Sequence, residues 1–163
     1  MTHQRFEQHV SLEELWLDRA VYRPGEPANL HMLLHNPEKS SLPVQLHLSL
    51  TWLDEQIWQH SQHVELPTGK YQLVLPLKLP EESVRGYGVD LLLCDAQHEP
   101  WIQKSTALDV LDNWAQAPRY GFLADFAPGE HHAEEICARL ARYHVNIAQF
   151  YDWMWRHYTL MPP

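Results

Sequence analysis

Two patterns in this 163-residue chain predict a mainly β protein with a short α/β addition. Up to Asn113, short runs of alternating apolar and polar residues are punctuated by Pro and Gly, the grammar of a β-sandwich. After Asn113 a strand, a helix and a second strand follow in order, the pattern of a βαβ unit. Hydrophobic residues make up 45% of the chain, enough for a packed core, which excludes wholesale disorder.

Seven strands are expected in the first part. Residues 14–22 (ELWLDRAVY) give the first, ended by the turn RPGEP at 23–27. Residues 28–36 (ANLHMLLHN) give the second, with Leu30, Met32 and Leu34 on one face. Residues 44–54 (VQLHLSLTWLD) give the third. Here Leu46, Leu48, Leu50 and Trp52 share one face, and Gln45, His47, Ser49 and Thr51 the other. Residues 57–66 form a weaker fourth. The fifth, 70–79 (KYQLVLPLKL), contains Pro76, which cannot donate a ladder hydrogen bond, so an edge or a bulge is expected there. Residues 87–96 and 101–110 are the sixth and seventh. Seven strands in about a hundred residues is the immunoglobulin-like count. Cys94 falls in the sixth strand with no cysteine in the second to pair with it.

The second part reads differently. Residues 119–126 (RYGFLADF) form a nearly continuous apolar run, which suits a strand buried on both faces. Residues 127–146 read as a helix. Glu130, Glu134 and Glu135 load its first half with negative charge, and Arg139 and Arg142 load the second half with positive charge, as the helix dipole favours. Ala133, Ile136, Cys137 and Leu140 form one apolar stripe. Residues 145–153 (VNIAQFYDW) return to a strand. Such a unit carries apolar surface on both sheet faces and cannot stand alone, so residues after Arg119 are expected to be mobile, to dimerise or to pack intermolecularly.

Charge and composition limit the partners. The net charge is −9 with histidines neutral, and no basic cluster exceeds Arg139 and Arg142. This argues against nucleic acid or an anionic membrane surface as the main partner. No apolar run is long enough to span a bilayer. The first residues carry no basic segment followed by an apolar one, so no secretory signal is visible. A cytoplasmic location is expected, or an extracellular one if a signal has been removed. The two cysteines, Cys94 and Cys137, lie in different regions, which argues against a disulfide framework.

Residues 118–126 (PRYGFLADF) and 141–157 (ARYHVNIAQFYDWMWRH) resemble the opening of the catalytic barrel of glycoside hydrolase family 66. That family contains the dextranases and the cycloisomaltooligosaccharide glucanotransferases. The resemblance implies an immunoglobulin-like domain at 1–113, a linker at 114–119 and, from 120 to 163, the first strand, helix and second strand of a truncated (β/α)8 TIM barrel. It also implies a retaining glycosidase acting on α-1,6-linked glucan, with an Asp nucleophile and a Glu acid/base about 5 Å apart. In the family both lie on later barrel strands. A barrel needs roughly 250 residues, so no catalytic residue is assigned here and the chain alone is expected to be inactive.

The closing stretch QFYDWMWRHYTLMPP then acquires a meaning. Barrel active sites form at the C-terminal ends of the strands. Asp125 lies at that end of the first strand, Tyr151, Asp152 and Trp153 at that end of the second, and His157 in the loop beyond. Carboxylates bond sugar hydroxyls, and aromatic rings pack on apolar sugar faces. The same residues could instead be rim packing, and an Asp at a strand end could be a helix cap. Phe150 is expected in the core. Twelve histidines raise the question of a metal, but no H-E-x-x-H or finger spacing occurs, and neither metal nor cofactor is expected. His31, His35 and His47 are expected to face solvent. Trp16, Trp52, Trp58 and Trp101 are expected to fill the sandwich core or its edge, and Trp114 to pin the two regions together. The competing reading is a free-standing β-sandwich binding module without enzymatic activity.

Overall fold

The structure, a computed structural model, describes residues 10–82, 84–123 and 132–151. Two sheets pack face to face. One has three strands: β1 (Ser11–Leu17), β3 (Pro27–Asn36) and β6 (Gly69–Lys78), in the order β1-β3-β6. The other has five: β2 (Val21–Tyr22), β4 (Leu42–Trp52), β5 (Glu55–Leu66), β7 (Arg85–Cys94) and β8 (Pro100–Val110), in the order β2-β8-β7-β4-β5. A 3-10 turn (Trp114–Gln116) leads to β9 (Tyr120–Leu123), α1 (Ala133–Arg142) and β10 (Ile147–Phe150).

Period-two alternation builds the core. Leu30, Met32 and Leu34 of β3 face Leu46, Leu48 and Leu50 of β4 and Val89, Leu91 and Leu93 of β7 across one continuous apolar cluster. All are essentially inaccessible, and each such side chain contributes about 1.5–3 kcal/mol by leaving water. Asn36 is buried among them. Its Nδ2 donates to the Ser40 and Leu66 carbonyls and its Oδ1 accepts from Glu38 N, so its polar atoms are satisfied.

The expected first strand is in fact two. β1 pairs antiparallel with β3, whereas β2 pairs parallel with β8, Val21 opposite Asp109. The chain therefore changes sheets between residues 18 and 20. Hydrogen bonds fix this crossing: the Tyr22 hydroxyl donates to Asp18 Oδ1, which also accepts from Asn29 N at 3.0 Å, and Arg19 N donates to the Tyr22 oxygen at 3.1 Å. An alternating sequence cannot announce such a crossing, because the side-chain period continues through it.

Pro76 sits on an edge, as expected. β6 pairs with β3 alone, Pro76 opposite Asn29, without a register shift. Trp52, Trp58 and Trp101 pack against the core, but Trp16 does not. It lies on the outer face of the three-stranded sheet, stacked on His31 with ring centroids 5.2 Å apart. β1 carries a register shift between Leu12 and Glu14, and the even positions beyond it point outward. His31, His35 and His47 do lie on outer faces, yet each is half-buried rather than open.

Candidate functional site

The site expected from the sequence lies on the strand–helix–strand unit. β9 and β10 pair in parallel, Tyr120 opposite Ile147 and Leu123 opposite Phe150. Asn146 fixes where β10 starts. Its Oδ1 accepts from Arg119 N at 2.9 Å and its Nδ2 donates to the Ala117 carbonyl at 3.2 Å, tying the connecting segment to the strand entry. The helix spans ten residues, shorter than the 127–146 expected; residues 127–131 lie outside those described.

The end of α1 explains its length. His144 adopts φ +59, and two backbone bonds close the turn: His144 N to Ala141 O at 2.9 Å and Val145 N to Leu140 O at 3.0 Å. This is the Schellman arrangement, in which a residue in the left-handed region satisfies the last helix carbonyls. Glycine usually occupies that position. Here histidine does, and its half-buried side chain interacts electrostatically with the buried Asp109 and with Arg119.

Asp109 is 3% exposed, and Arg119 Nη2 meets its Oδ1 at 2.9 Å. Burial pushes the Asp109 carboxyl above the usual range, with Arg119 and His144 opposing that rise. Burial also lowers His144, aided by Arg119 and opposed by Asp109. Asp109 Oδ2 and His144 Nδ1 are both without a hydrogen bond among the described residues. A second contact joins helix and sandwich: Arg142 Nη1 lies 2.6 Å from Glu14 Oε2, and its guanidinium sits 4.7 Å over the Trp16 ring. Among the described residues these arginine contacts link the two regions. Trp114 is 60% exposed.

The two faces of the parallel pair differ. The Cβ direction of Gly121 points at Val145 and Leu140, so α1 and its following turn cover the face carrying Gly121 and Leu123. The opposite face is open. Tyr120 and Phe122 are each 60% exposed there, with ring centroids 5.9 Å apart and planes at 88°. Phe122 meets Tyr151 in a second edge-to-face contact at 5.8 Å. Tyr151 N donates to the Leu123 carbonyl at 2.8 Å, extending the pairing past β10. An aromatic ladder thus runs up the open face and ends at the C-terminal edge of the strands.

Of the residues singled out from sequence, Tyr151 stands at the top of this ladder. Asp125, Asp152, Trp153 and His157 lie outside the described residues. Phe150 is exposed rather than in a core, on the face that Leu123 shares. Of the expected apolar stripe of α1, Leu140 is half-buried over Gly121, whereas Ala133, Cys137 and Ile136 are exposed, Ile136 at 40%. Tyr120 and Phe122 were not singled out. Their signal is the period-two alternation of Tyr-Gly-Phe-Leu, hidden inside what reads as a continuous apolar run.

Residues 17–163 match glycosyl hydrolase family 66. A cycloisomaltooligosaccharide glucanotransferase from Niallia circulans is 33% identical over 150 residues, covering 90% of this chain and 15% of its own length. A second such protein from the same organism is 28% identical over 154 residues, covering 92% of this chain and 16% of its own. The crystal structure of a Paenibacillus sp. cycloisomaltooligosaccharide glucanotransferase, complexed with cycloisomaltoheptaose, superposes with a TM-score of 0.75 at 29% identity, over 94% of this chain and 22% of that one. The chain therefore spans about 15% of the length of the curated relatives it matches. Since the match runs from the end of β1 to the last residue, the chain belongs to glycosyl hydrolase family 66.

Proposed function

We propose that this chain is part of an enzyme that acts on α-1,6-linked glucan, dextran or isomaltooligosaccharides, with retention at the anomeric carbon. The observation that carries the reading is the family match, joined to an open aromatic face that runs out at Tyr151. In this reading residues 1–113 are an immunoglobulin-like sandwich and 114–119 a linker. From residue 120 the chain begins a (β/α)8 barrel, with β9 and β10 as its first two strands and α1 outside. The face carrying Tyr120, Phe122 and Tyr151 is then the inward one.

Substrate would lie at the C-terminal strand ends. In the sequence Asp125 comes just after β9, and Tyr151, Asp152 and Trp153 just after β10; His157 would belong to the loop beyond. Asp152 would accept hydrogen bonds from sugar hydroxyls while the Trp153 ring packs on an apolar sugar face. The chemistry needs two carboxyl groups from elsewhere in the enzyme. An Asp attacks the anomeric carbon while a Glu protonates the departing O6, leaving a glucosyl ester. The same Glu then deprotonates an acceptor that displaces the Asp. Water as acceptor gives hydrolysis; the free O6 of the same chain gives a ring.

A reducing-sugar assay on dextran tests this. This chain alone releases no reducing ends, whereas a longer protein that carries it does. In that longer protein Asp152→Ala lowers kcat/KM at least about tenfold, the loss of one charge-assisted bond to substrate. Turnover by this chain alone, or a longer protein active on starch but not on dextran, overturns the reading.

A further inference from the structure

The 3-10 turn presents Trp114 to solvent, although the turn itself is rigidly built. Asn113 Oδ1 accepts from Ala115 N at 3.0 Å, and Gln116 Oε1 accepts from Asp112 N at 2.7 Å and Asn113 N at 3.3 Å, a reciprocal capping box. Gln116 Nε2 also donates to Asp112 Oδ2, and Leu111 N donates to the Tyr22 carbonyl at 2.8 Å, pinning the turn to β2. Held this way, Trp114 forms one wall of a cleft of about 260 Å³. The opposite wall joins the β1–β2 connection to the β2–β3 turn, where Arg19 of the first pairs with Glu26 of the second at 3.3 Å and Arg23 N donates to the same carboxylate. The Arg23 guanidinium has no hydrogen-bond partner among the described residues.

The chemistry of the cleft selects its ligand. Arg19 and Arg23 line the cleft together with Glu26 and Asp112, so the site favours neither an anion nor a cation. It offers fixed donors, fixed acceptors and one flat apolar ring. Those groups suit a neutral polyhydroxylated ring with an apolar face. The volume falls just below the lower bound for drug-sized ligands, roughly 300 Å³, and suits one or two sugar units. The platform is already ordered, so little freedom is lost on binding. The cleft lies where the chain enters β9, whereas Tyr151 lies at the far end of the strands.

We infer that the cleft between Trp114 and the Arg19–Glu26 turn is a sugar-binding site for an isomaltooligosaccharide segment, with Trp114 as its stacking platform and Arg23 as a hydroxyl-binding arm. The choice of an α-1,6-linked ligand rests on the proposed function. A ¹H–¹⁵N titration of this chain with isomaltoheptaose, to about 10 mM, reads the weak binding expected of one stacked site. One of the seven tryptophan indole signals shifts, and that signal is missing in Trp114→Ala. Affinity falls at least about tenfold in Trp114→Ala, several-fold in Arg23→Ala, and not in Tyr151→Ala. The exposed position of Trp114 leaves the remaining spectrum of the variant unchanged. Absence of shifts, binding that survives Trp114→Ala, equal loss in Tyr151→Ala, or preference for maltoheptaose overturns the inference. Absence of shifts beside dextran turnover by the longer protein removes only this site. Preference for maltoheptaose together with inactivity on dextran removes the substrate reading as well.

Discussion

Arg119→Ala is the sharpest test of how the strand–helix–strand unit is fixed to the sandwich. The substitution keeps the Arg119 backbone, whose N–H and carbonyl hold Asn146 and Ile147, and removes only the guanidinium. That leaves Asp109, whose side chain is 5% exposed, without the ion-pair partner it has among the described residues, and its Oδ2 already lacks a hydrogen bond among them. Breaking a fully buried pair costs roughly 3–5 kcal/mol. The Arg119 side chain is 44% exposed, so water enters on its removal, and a loss of about 2 kcal/mol is expected. The pH dependence is distinctive. Asp109 already sits above the usual carboxyl range, and without Arg119 it rises further. A raised carboxyl pKa means that the folded state favours the proton. The deficit therefore stands at neutral pH and shrinks as pH falls through that pKa. His144 works in the same direction. Burial and Arg119 hold its pKa below the ordinary histidine value; once Arg119 is gone it protonates more readily beside the bare carboxylate. Urea melts of both proteins at about pH 7.5 and about pH 4.5 measure the difference. A loss under about 0.5 kcal/mol at the higher pH, or one that grows in acid, refutes the reasoning.

Other expectations are simpler. A Cβ on Gly88 would lie 2.5 Å from Thr51 Oγ1, so Gly88→Ala costs about 1–3 kcal/mol. Adding Thr51→Ala restores most of it; a double variant as unstable as the single one rules out the clash. Cys94 is buried, and burial, Asp95 and Glu99 push its thiol upward, while Cys137 is exposed. Ellman's reagent should therefore find one fast thiol in the native chain, and two would contradict the placement. The open face of Tyr120, Phe122 and Tyr151 should drive self-association of this chain. Phe122→Ser should weaken it about tenfold in sedimentation equilibrium, and a wild-type chain that stays monomeric at every concentration counts against that role.

The sandwich was largely legible because one face of each strand must be dry. Leu30, Met32 and Leu34, or Leu46, Leu48 and Leu50, can satisfy that demand in only one register. Pro76 declared an edge or a bulge through its missing donor, and it is an edge. The sheet change at residues 18–20 was not legible. It is written in the long-range pairing of Val21 with Asp109 and in the Asp18–Tyr22–Asn29 bonds, not in local alternation. Trp16 read as core or core edge because size suggests burial, yet the register shift at Leu12/Glu14 sets its parity outward. In the second part, the helix stripe and the apolar run at 119–126 were seen, but both signals assume covering partners, and the described unit leaves Phe122 and Ile136 exposed. Of the candidate site, Tyr151 could be placed. The role of His144 could not, since nothing in ARYHVN tells a left-handed turn residue from a surface histidine.

The crossing between sheets also bears on when the protein can assemble. β2 and β8 lie at opposite ends of the sandwich sequence, yet they pair side by side, and Leu111 N closes on the Tyr22 carbonyl just beyond. During synthesis β1 can find β3 as soon as that strand has left the ribosome. β2 must wait until β8 has emerged. The five-stranded layer therefore keeps an unpaired margin until β8 has emerged, and closing it joins residues separated by nearly the whole sandwich, an entropically costly and slow class of contact. A nascent chain stalled before Val110 would present that margin to its neighbours. The interval before β8 appears is then when this protein is most exposed to aggregation and most in need of chaperone cover.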